Sequence, residues 1–141
     1  MSGARPNPCL PVSNTCSSTG TPALAGQATR RQVTLYFNQQ RTGPTLDVLL
    51  YLPAAATGPV PVFLNVSFSP NSSVVDDPGI KPGQVWNREA RGRVTPPAGR
   101  GFGRLDVVPF LDAGIGVATV YYADLDPDFL DGATLGIRGV Y

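Results

Sequence analysis

A chain of 141 residues is long enough to bury a core and to form one domain or one piece of a larger domain. Its apolar share of 42%, with a charged share of only 15%, excludes an intrinsically disordered chain. The formal net charge of +1 provides no long-range field, so we predict neither nucleic acid nor a membrane as a partner. No stretch approaches the ~18 consecutive apolar residues that a membrane span needs.

The first 25 residues differ in composition from the rest of the chain. They are rich in Pro, Ser, Thr, Asn and Gly and show no hydrophobic period, so we predict a flexible leader over residues 1–25 and a folded unit over residues 26–141. No continuous apolar run follows Met1, so no signal peptide is predicted. Cys9 and Cys16 fit either a small disulfide loop or two free thiols.

Three segments have the hydrophobic pattern of strands. Apolar residues alternate over residues 31–38 and again over residues 46–52, and the connection between them contains Gly43 and Pro44. This spacing predicts an antiparallel hairpin. Residues 60–68 then form a nearly continuous apolar and β-branched run, which is typical of a strand buried on both faces of an α/β sheet.

The second half of the chain alternates between loop, helix and strand signals. Residues 69–104 are rich in Gly, Pro, Asn and Arg and are predicted to form a long loop, with a short helical turn over residues 85–90. Asp106 is predicted to cap a helix over residues 106–113. Residues 115–122 have the apolar, β-branched pattern of another buried strand. The order of elements predicts a three-layer α/β fold.

Serine-hydrolase chemistry is not predicted for this chain. A nucleophilic hydroxyl needs a neighbouring base, and the sequence contains no histidine. Its only lysine, Lys81, lies in a Gly/Pro-rich loop with no G-x-S-x-G elbow nearby. We therefore assign no catalytic residue, and no cofactor is expected.

Metal binding is not predicted either. Two cysteines without a histidine leave a tetrahedral zinc site short of ligands. Asp124, Asp126 and Asp128 have the spacing of an EF-hand loop, but Phe129 and Leu135 occupy the positions where that loop needs Gly and Glu. The acidic segment is therefore predicted to be a structural turn, and no metal site is assigned.

Two further features each fit a functional and a structural interpretation. Residues 80–104 carry six basic side chains and one acidic one, whereas residues 105–141 carry six aspartates and one arginine. These segments indicate either a site for an acidic ligand or two surfaces that neutralise each other. Trp86, the only tryptophan, fits either a residue that stacks on a sugar ring or an anchor for the loop.

Three stretches of the sequence resemble bacterial glucuronoyl esterases. Residues 28–35 resemble the first strand of that family, and residues 61–71 with the following Asp77-Pro78-Gly79-Ile80 resemble a strand and its loop. Residues 116–129, which end in Asp-Leu-Asp-Pro-Asp-Phe, resemble a later strand and its acidic turn. The resemblance extends from about residue 25 to residue 141.

The resemblance implies the N-terminal half of an α/β-hydrolase, with an incomplete sheet. The family cleaves esters between xylan-linked 4-O-methyl-glucuronate and lignin alcohols, uses no metal, and is secreted or periplasmic. Its nucleophilic serine, oxyanion-holding arginine, histidine and acid lie in later segments, which have no matching positions in this sequence. In that fold the third strand lies between the fourth strand and the nucleophile-bearing fifth, so residues 60–68 are expected to form an unpaired sheet edge.

The resemblance also implies a location for substrate binding. In α/β-hydrolases the loop after the third strand contributes a backbone N–H to the oxyanion hole, which makes Ser67, Phe68 and Ser69 candidates for the near wall of the site. Trp86 is a further substrate-binding candidate. Two functions stay open. One is an incomplete esterase that is inactive alone and has glucuronoxylan and a C-terminal half as partners. The other is a stand-alone carbohydrate-binding or interaction module.

Overall fold

The computed structural model describes residues 16–17, 20–97 and 102–141. Cys9 and most of the predicted leader lie outside these residues, so the disulfide alternative stays a prediction. Within the described part of the chain, no helix is long and apolar enough to cross a membrane.

Eight strands carry the fold, and six of them form one mixed sheet. The strands are β1 (Cys16–Ser17), β2 (Thr21–Ala23), β3 (Ala28–Tyr36), β4 (Thr45–Pro53), β5 (Val62–Ser67), β6 (Val85–Asn87), β7 (Gly92–Val94) and β8 (Gly116–Tyr121). Along the sheet the order is β1-β3-β4-β8-β5, and β2 also pairs with β3. The prediction of an α/β fold is confirmed.

The predicted hairpin is confirmed as the longest ladder of the sheet. β3 and β4 pair antiparallel over nine positions, from Ala28 opposite Pro53 to Tyr36 opposite Thr45. The sheet begins earlier than predicted, because β1 and β2 pair with β3 although they fall within the proposed leader. Ala23 of β2 is 8% exposed and belongs to the core, which gives this short strand a reason to be ordered.

The two predicted apolar strands differ in burial. Every residue of β8 is buried, because this strand lies between β4 and β5. β5 runs parallel to β8 but ends the sheet, and Val62, Leu64 and Val66 are 47%, 59% and 55% exposed. The prediction of burial on both faces is therefore wrong for β5, because the face that carries Val62, Leu64 and Val66 lies opposite the helices that cover the core. The expectation of an edge strand is confirmed.

Three short helices complete the fold: α1 (Asn71–Val74), α2 (Val108–Asp112) and α3 (Tyr122–Leu125). The predicted helix over residues 106–113 is confirmed in a shorter form. Asp106 stands one residue before the N-cap, Val107, and its carboxylate accepts the N–H of Val108 at 3.1 Å. Gly114, with φ +77°, ends the helix in the left-handed region that favours glycine.

The predicted helical turn over residues 85–90 is wrong. These residues begin a small hairpin in which β6 pairs antiparallel with β7. The side chain of Asn87 accepts the N–H of Ala90 at 2.7 Å, and Arg91 has φ +47°. A side chain that bonds its own backbone in this way competes with helix formation and favours a turn.

The main core lies on one face of the sheet. Leu49, Tyr51 and Val117 share that face by register, and Val74 of α1 and Leu111 of α2 pack in the same buried cluster. The two helices thus cover this face, while the opposite face presents the half-exposed apolar side chains of β5. The sheet is accordingly better covered at its centre than at its β5 edge.

A buried ion pair fastens the loop after α1 to this core face. The Asp77 carboxylate accepts hydrogen bonds from Arg30 at 2.7 Å, from the Tyr51 hydroxyl at 2.6 Å and from the Gly79 amide at 2.9 Å. Gln32 accepts the Lys81 N–H at 2.7 Å. The loop between α1 and β6 is therefore held on β3 and β4.

Candidate functional site

The carboxyl ends of β5 and β8 define the candidate site. The two strands are parallel and Ser67 pairs with Tyr121, so both end at the same level. Ligands of open α/β sheets bind at this end of the strands. The segment that follows β5, with Ser67, Phe68 and Ser69, therefore lies beside α3, which follows β8.

Ser67 and Ser69 are buried, and their hydroxyl groups are engaged by the backbone. Ser67 Oγ accepts the N–H of Ser69 at 3.0 Å, and Ser69 Oγ accepts the N–H of Phe102 at 3.0 Å. These bonds fix the chain immediately after β5 and tie it to the end of the long loop. Lys81, the candidate base, is paired with Asp47 at 3.1 Å. Among the described residues, both serine hydroxyls contact backbone N–H groups, and neither contacts a base that would activate it.

Phe68 forms an exposed aromatic ridge with α3. Its side chain is 75% exposed, and its ring contacts that of Tyr122 edge to face at a centroid distance of 5.1 Å. Tyr122 in turn meets the buried Tyr121 edge to face at 5.5 Å. Edge-to-face pairs of this kind hold rings in fixed orientations. The ridge is therefore an ordered apolar surface directly beside the end of β5.

Trp86 lies on β6 and packs against the acidic turn. Its ring lies 4.9 Å from the Arg93 guanidinium carbon and 6.0 Å from the centroid of Phe129. Its indole N–H is buried and has no hydrogen-bond partner among the described residues. The structure thus brings Ser67, Phe68 and Ser69 together at the ends of β5 and β8. Trp86 packs against Arg93 and Phe129 instead. A role for Trp86 in stacking on a sugar stays a prediction.

The basic loop and the acidic segment meet in the structure. Arg93 pairs with Asp124 at 2.7 Å, Arg88 with Asp128 at 3.5 Å, and within the acidic segment Arg138 pairs with Asp126 at 2.6 Å. Each of the three spaced aspartates therefore has an arginine partner. This pairing agrees with the interpretation that the basic and acidic segments neutralise each other. The described residues contain no group of three acidic, histidine or cysteine side chains suited to a metal ion.

Asp124 is the most buried member of this charged segment. Burial raises the pKa of its carboxyl above the ordinary value of 3.8, although the adjacent Arg93 guanidinium opposes that shift. The ionised form is held by Arg93 and by the N–H of Asp47 at 3.5 Å. Sequence reasoning placed Asp124 in a turn but missed its partner, because the ion pair joins residues 31 positions apart.

An open cleft of about 680 Å³ lies beside the aromatic ridge. Its walls come from α3, the acidic turn and the C-terminal segment, and they include Arg88, Tyr122 and Phe129. Aromatic and charged side chains thus alternate around it. The sequence pattern identified the acidic turn but not this cleft, because the cleft also needs Arg88 and Arg138, which are distant from one another in the chain.

Comparison with known proteins places this geometry in a family. No family model matches the chain. A carbohydrate esterase named MZ0003, from an unknown prokaryotic organism, is 38% identical over 117 residues, which cover 78% of this chain and 27% of that protein. A glucuronoyl esterase from Solibacter usitatus superposes with a TM-score of 0.82 at 39% identity, over 100% of this chain and 36% of that structure.

A third similar protein is a promiscuous CE15 esterase from a marine bacterial metagenome. It superposes with a TM-score of 0.67 at 34% identity, over 82% of this chain and 31% of that structure. This chain therefore spans about a third of the length of the proteins it matches. The coverage of the whole chain in the superposition and the sequence identity agree. The chain belongs to the glucuronoyl esterase (CE15) family and corresponds to part of that family's α/β-hydrolase fold.

Proposed function

We propose that this chain is the N-terminal part of a glucuronoyl-esterase domain. In this proposal it builds half of the sheet and the near wall of the substrate site, and it does not hydrolyse esters by itself. The reaction to which it contributes is hydrolysis of the ester between xylan-linked 4-O-methyl-glucuronate and a lignin alcohol. A C-terminal part supplies the nucleophile and its base.

The observation that carries the proposal is the exposed β5 strand. β5 is the last strand of the sheet, it carries no charged side chain, and its exposed apolar residues continue into Phe68. Exposed apolar edges of this kind are normally covered in folded proteins. A further parallel strand beside β5 would cover this edge and would end next to Ser67, where the site lies.

The backbone after β5 supports a role in binding. Ser67 and Ser69 fix this segment by hydrogen bonds, so its amides hold set positions at the strand ends. Preorganised donors are what an oxyanion site requires. Since the Ser69 N–H is already donated to Ser67, the proposal assigns to Ser69 a positioning role and to the backbone around Phe68 the contact with substrate.

The alternative function, a stand-alone carbohydrate-binding module, is favoured by one observation. Phe68 and Tyr122 present an ordered aromatic surface next to an open cleft lined by Arg88. Aromatic side chains of this kind offer an apolar surface on which a sugar ring can pack. This function needs no second part of the domain, so it would be seen with the chain alone.

An esterase assay and a binding assay separate the two functions. We expect the purified chain to show no turnover of benzyl D-glucuronate above the uncatalysed rate, and co-expression with the C-terminal part of the Solibacter usitatus enzyme to produce turnover. Turnover by the chain alone that is lost in Ser67→Ala would overturn the proposal. Binding of glucuronoxylan fragments by the chain alone, lost in Phe68→Ala, would establish the module instead.

A further inference from the structure

A second cavity, of about 330 Å³, lies on the core face of the sheet, away from the β5 edge. Its walls come from the adjoining ends of β3 and β4, the loop after α1, β7 and the end of β8. The polar groups that line it include those of Thr34, Asp47, Asn71, Lys81, Gln84, Arg93 and Asp124. All of these walls are formed by described residues of this chain. Its volume is at the small end of the range for ligand sites.

The floor of the cavity is apolar and rigid. Leu49, which is 1% exposed, and Ile80, which is 7% exposed, both line it and both belong to the buried core. Side chains packed in a core keep their positions. The cavity therefore offers an apolar surface on one side and charged groups on the other, a combination that matches a molecule with both C–H and hydroxyl surfaces.

The charges around the cavity cancel. Lys81 pairs with Asp47, and Arg93 pairs with Asp124, so two cations face two anions. The Thr34 hydroxyl also donates to Asp47, which fixes the orientation of this carboxylate. An ionic ligand would have to displace one member of a formed pair. A neutral ligand with hydroxyl groups can instead donate to spare carboxylate lone pairs and accept from the spare N–H groups of Lys81.

Asn71 adds a further polar group to the wall. Its side-chain N–H donates to the backbone carbonyl of Asp47 at 2.9 Å, which sets the orientation of the amide. Its side-chain oxygen is buried and has no hydrogen-bond partner among the described residues. The wall thus contains an acceptor that no described residue uses, and buried acceptors are normally satisfied.

We propose that this cavity binds a neutral polyhydroxylated ligand of monosaccharide size, at a site on the core face that adjoins the carboxyl ends of β5 and β8. The balanced charges select against charged sugars, and the apolar floor formed by Leu49 and Ile80 contacts the C–H face of the ring. Lys81, which is 60% exposed at its side chain, lies where the ligand would enter. The site extends beyond the proposed esterase role and does not rest on it.

Four monosaccharides of different charge test the proposal. We expect D-xylose and D-glucose to shift the NMR signals of the Asn71 and Gln84 side-chain amides, whereas D-glucuronate and D-glucosamine bind at least tenfold more weakly. Lys81→Met removes a charged hydrogen bond and leaves Asp47 unpaired. It should weaken neutral-sugar binding about tenfold, as expected for one such bond, and shift the preference toward glucosamine.

The control variant is Arg104→Met, which removes an exposed cation that lines neither cavity. It should leave sugar binding unchanged. The proposal is overturned if no sugar shifts the cavity amides, if all sugars shift them equally, or if a charged sugar binds the unmodified chain most tightly. It is also overturned if Lys81→Met and Arg104→Met have the same effect. A thermal melt of each variant separates loss of binding from loss of folding.

Discussion

At the scale of single residues, the Asp77 carboxylate accepts hydrogen bonds from three different residues. This carboxylate is 7% exposed and binds Arg30, which is 13% exposed. Burial would raise the pKa of Asp77, but hydrogen bonds from Tyr51, Arg30 and the Gly79 amide outweigh it and hold the pKa below its ordinary value of 3.8. The same burial, together with the Asp77 charge, raises the pKa of the Tyr51 hydroxyl, which therefore stays a donor.

We predict that Asp77→Asn lowers the free energy of unfolding by about 3 kcal/mol at neutral pH, because it leaves the Arg30 guanidinium buried without its charge partner. The folded pKa of Asp77 lies below its unfolded value, so this stabilisation is complete above pH 3.8 and is lost as the pH falls through the folded pKa. Urea melts at several pH values measure this difference. Asp76→Asn, at the exposed neighbouring position, is the matched control and should change little. A difference between the two variants that persists unchanged at the lowest pH would contradict this assignment.

The sequence located some of these residues but not their contacts. Ser67, Phe68 and Ser69 were identifiable from the resemblance, because the loop after the third strand of α/β-hydrolases contributes an N–H to the oxyanion hole. The hydrogen bond from Phe102 to Ser69 was not predictable, since these residues are 33 positions apart. The pairing of Arg30 with Asp77 spans 47 positions and shows no local pattern.

At the scale of elements, the composition of β5 does not match its position in the sheet. Its apolar, β-branched sequence is that of a central strand, yet it lies at the end of the sheet. Periodicity reports how many faces a strand is suited to bury, whereas the number of its neighbours depends on which other strands are present. The hairpin of β6 and β7 was missed for a different reason, because its strands are three residues long and too short for a period to be recognised.

We predict that Leu64→Lys raises the soluble yield of the chain without lowering its melting temperature. Leu64 is 59% exposed on β5, and a charge on an exposed strand opposes pairing between copies. Leu130→Lys is the matched control, since Leu130 is 86% exposed but lies outside the strands. The soluble fraction after expression and light scattering of the purified proteins measure the effect. An equal gain from both variants would show that overall charge, not the β5 edge, limits solubility.

At the scale of the whole molecule, the chain has a well-packed centre and an exposed apolar strand, β5, at one end of its sheet. β8 is buried along its entire length, and α1 and α2 cover the core face, so the centre meets the usual requirements of a fold. The exposed apolar residues of β5 and Phe68 form one continuous stretch at the opposite end from β1. Sequence patterns predicted the α/β class from the order of elements. The resemblance implied the N-terminal half of the domain, whereas the comparison gives about a third of the length of the matched proteins.

The proposed function requires that β5 is an interface for a further part of the domain. Hydrogen–deuterium exchange of the amides in β5 (Val62–Ser67), with and without the C-terminal part of the Solibacter usitatus enzyme, tests it most directly. We predict that the amides facing the open edge exchange rapidly in the chain alone and become strongly protected in the complex, while amides of β8 are protected in both states. Protection of all β5 amides in an isolated monomer, unchanged by the C-terminal part, would contradict the claim.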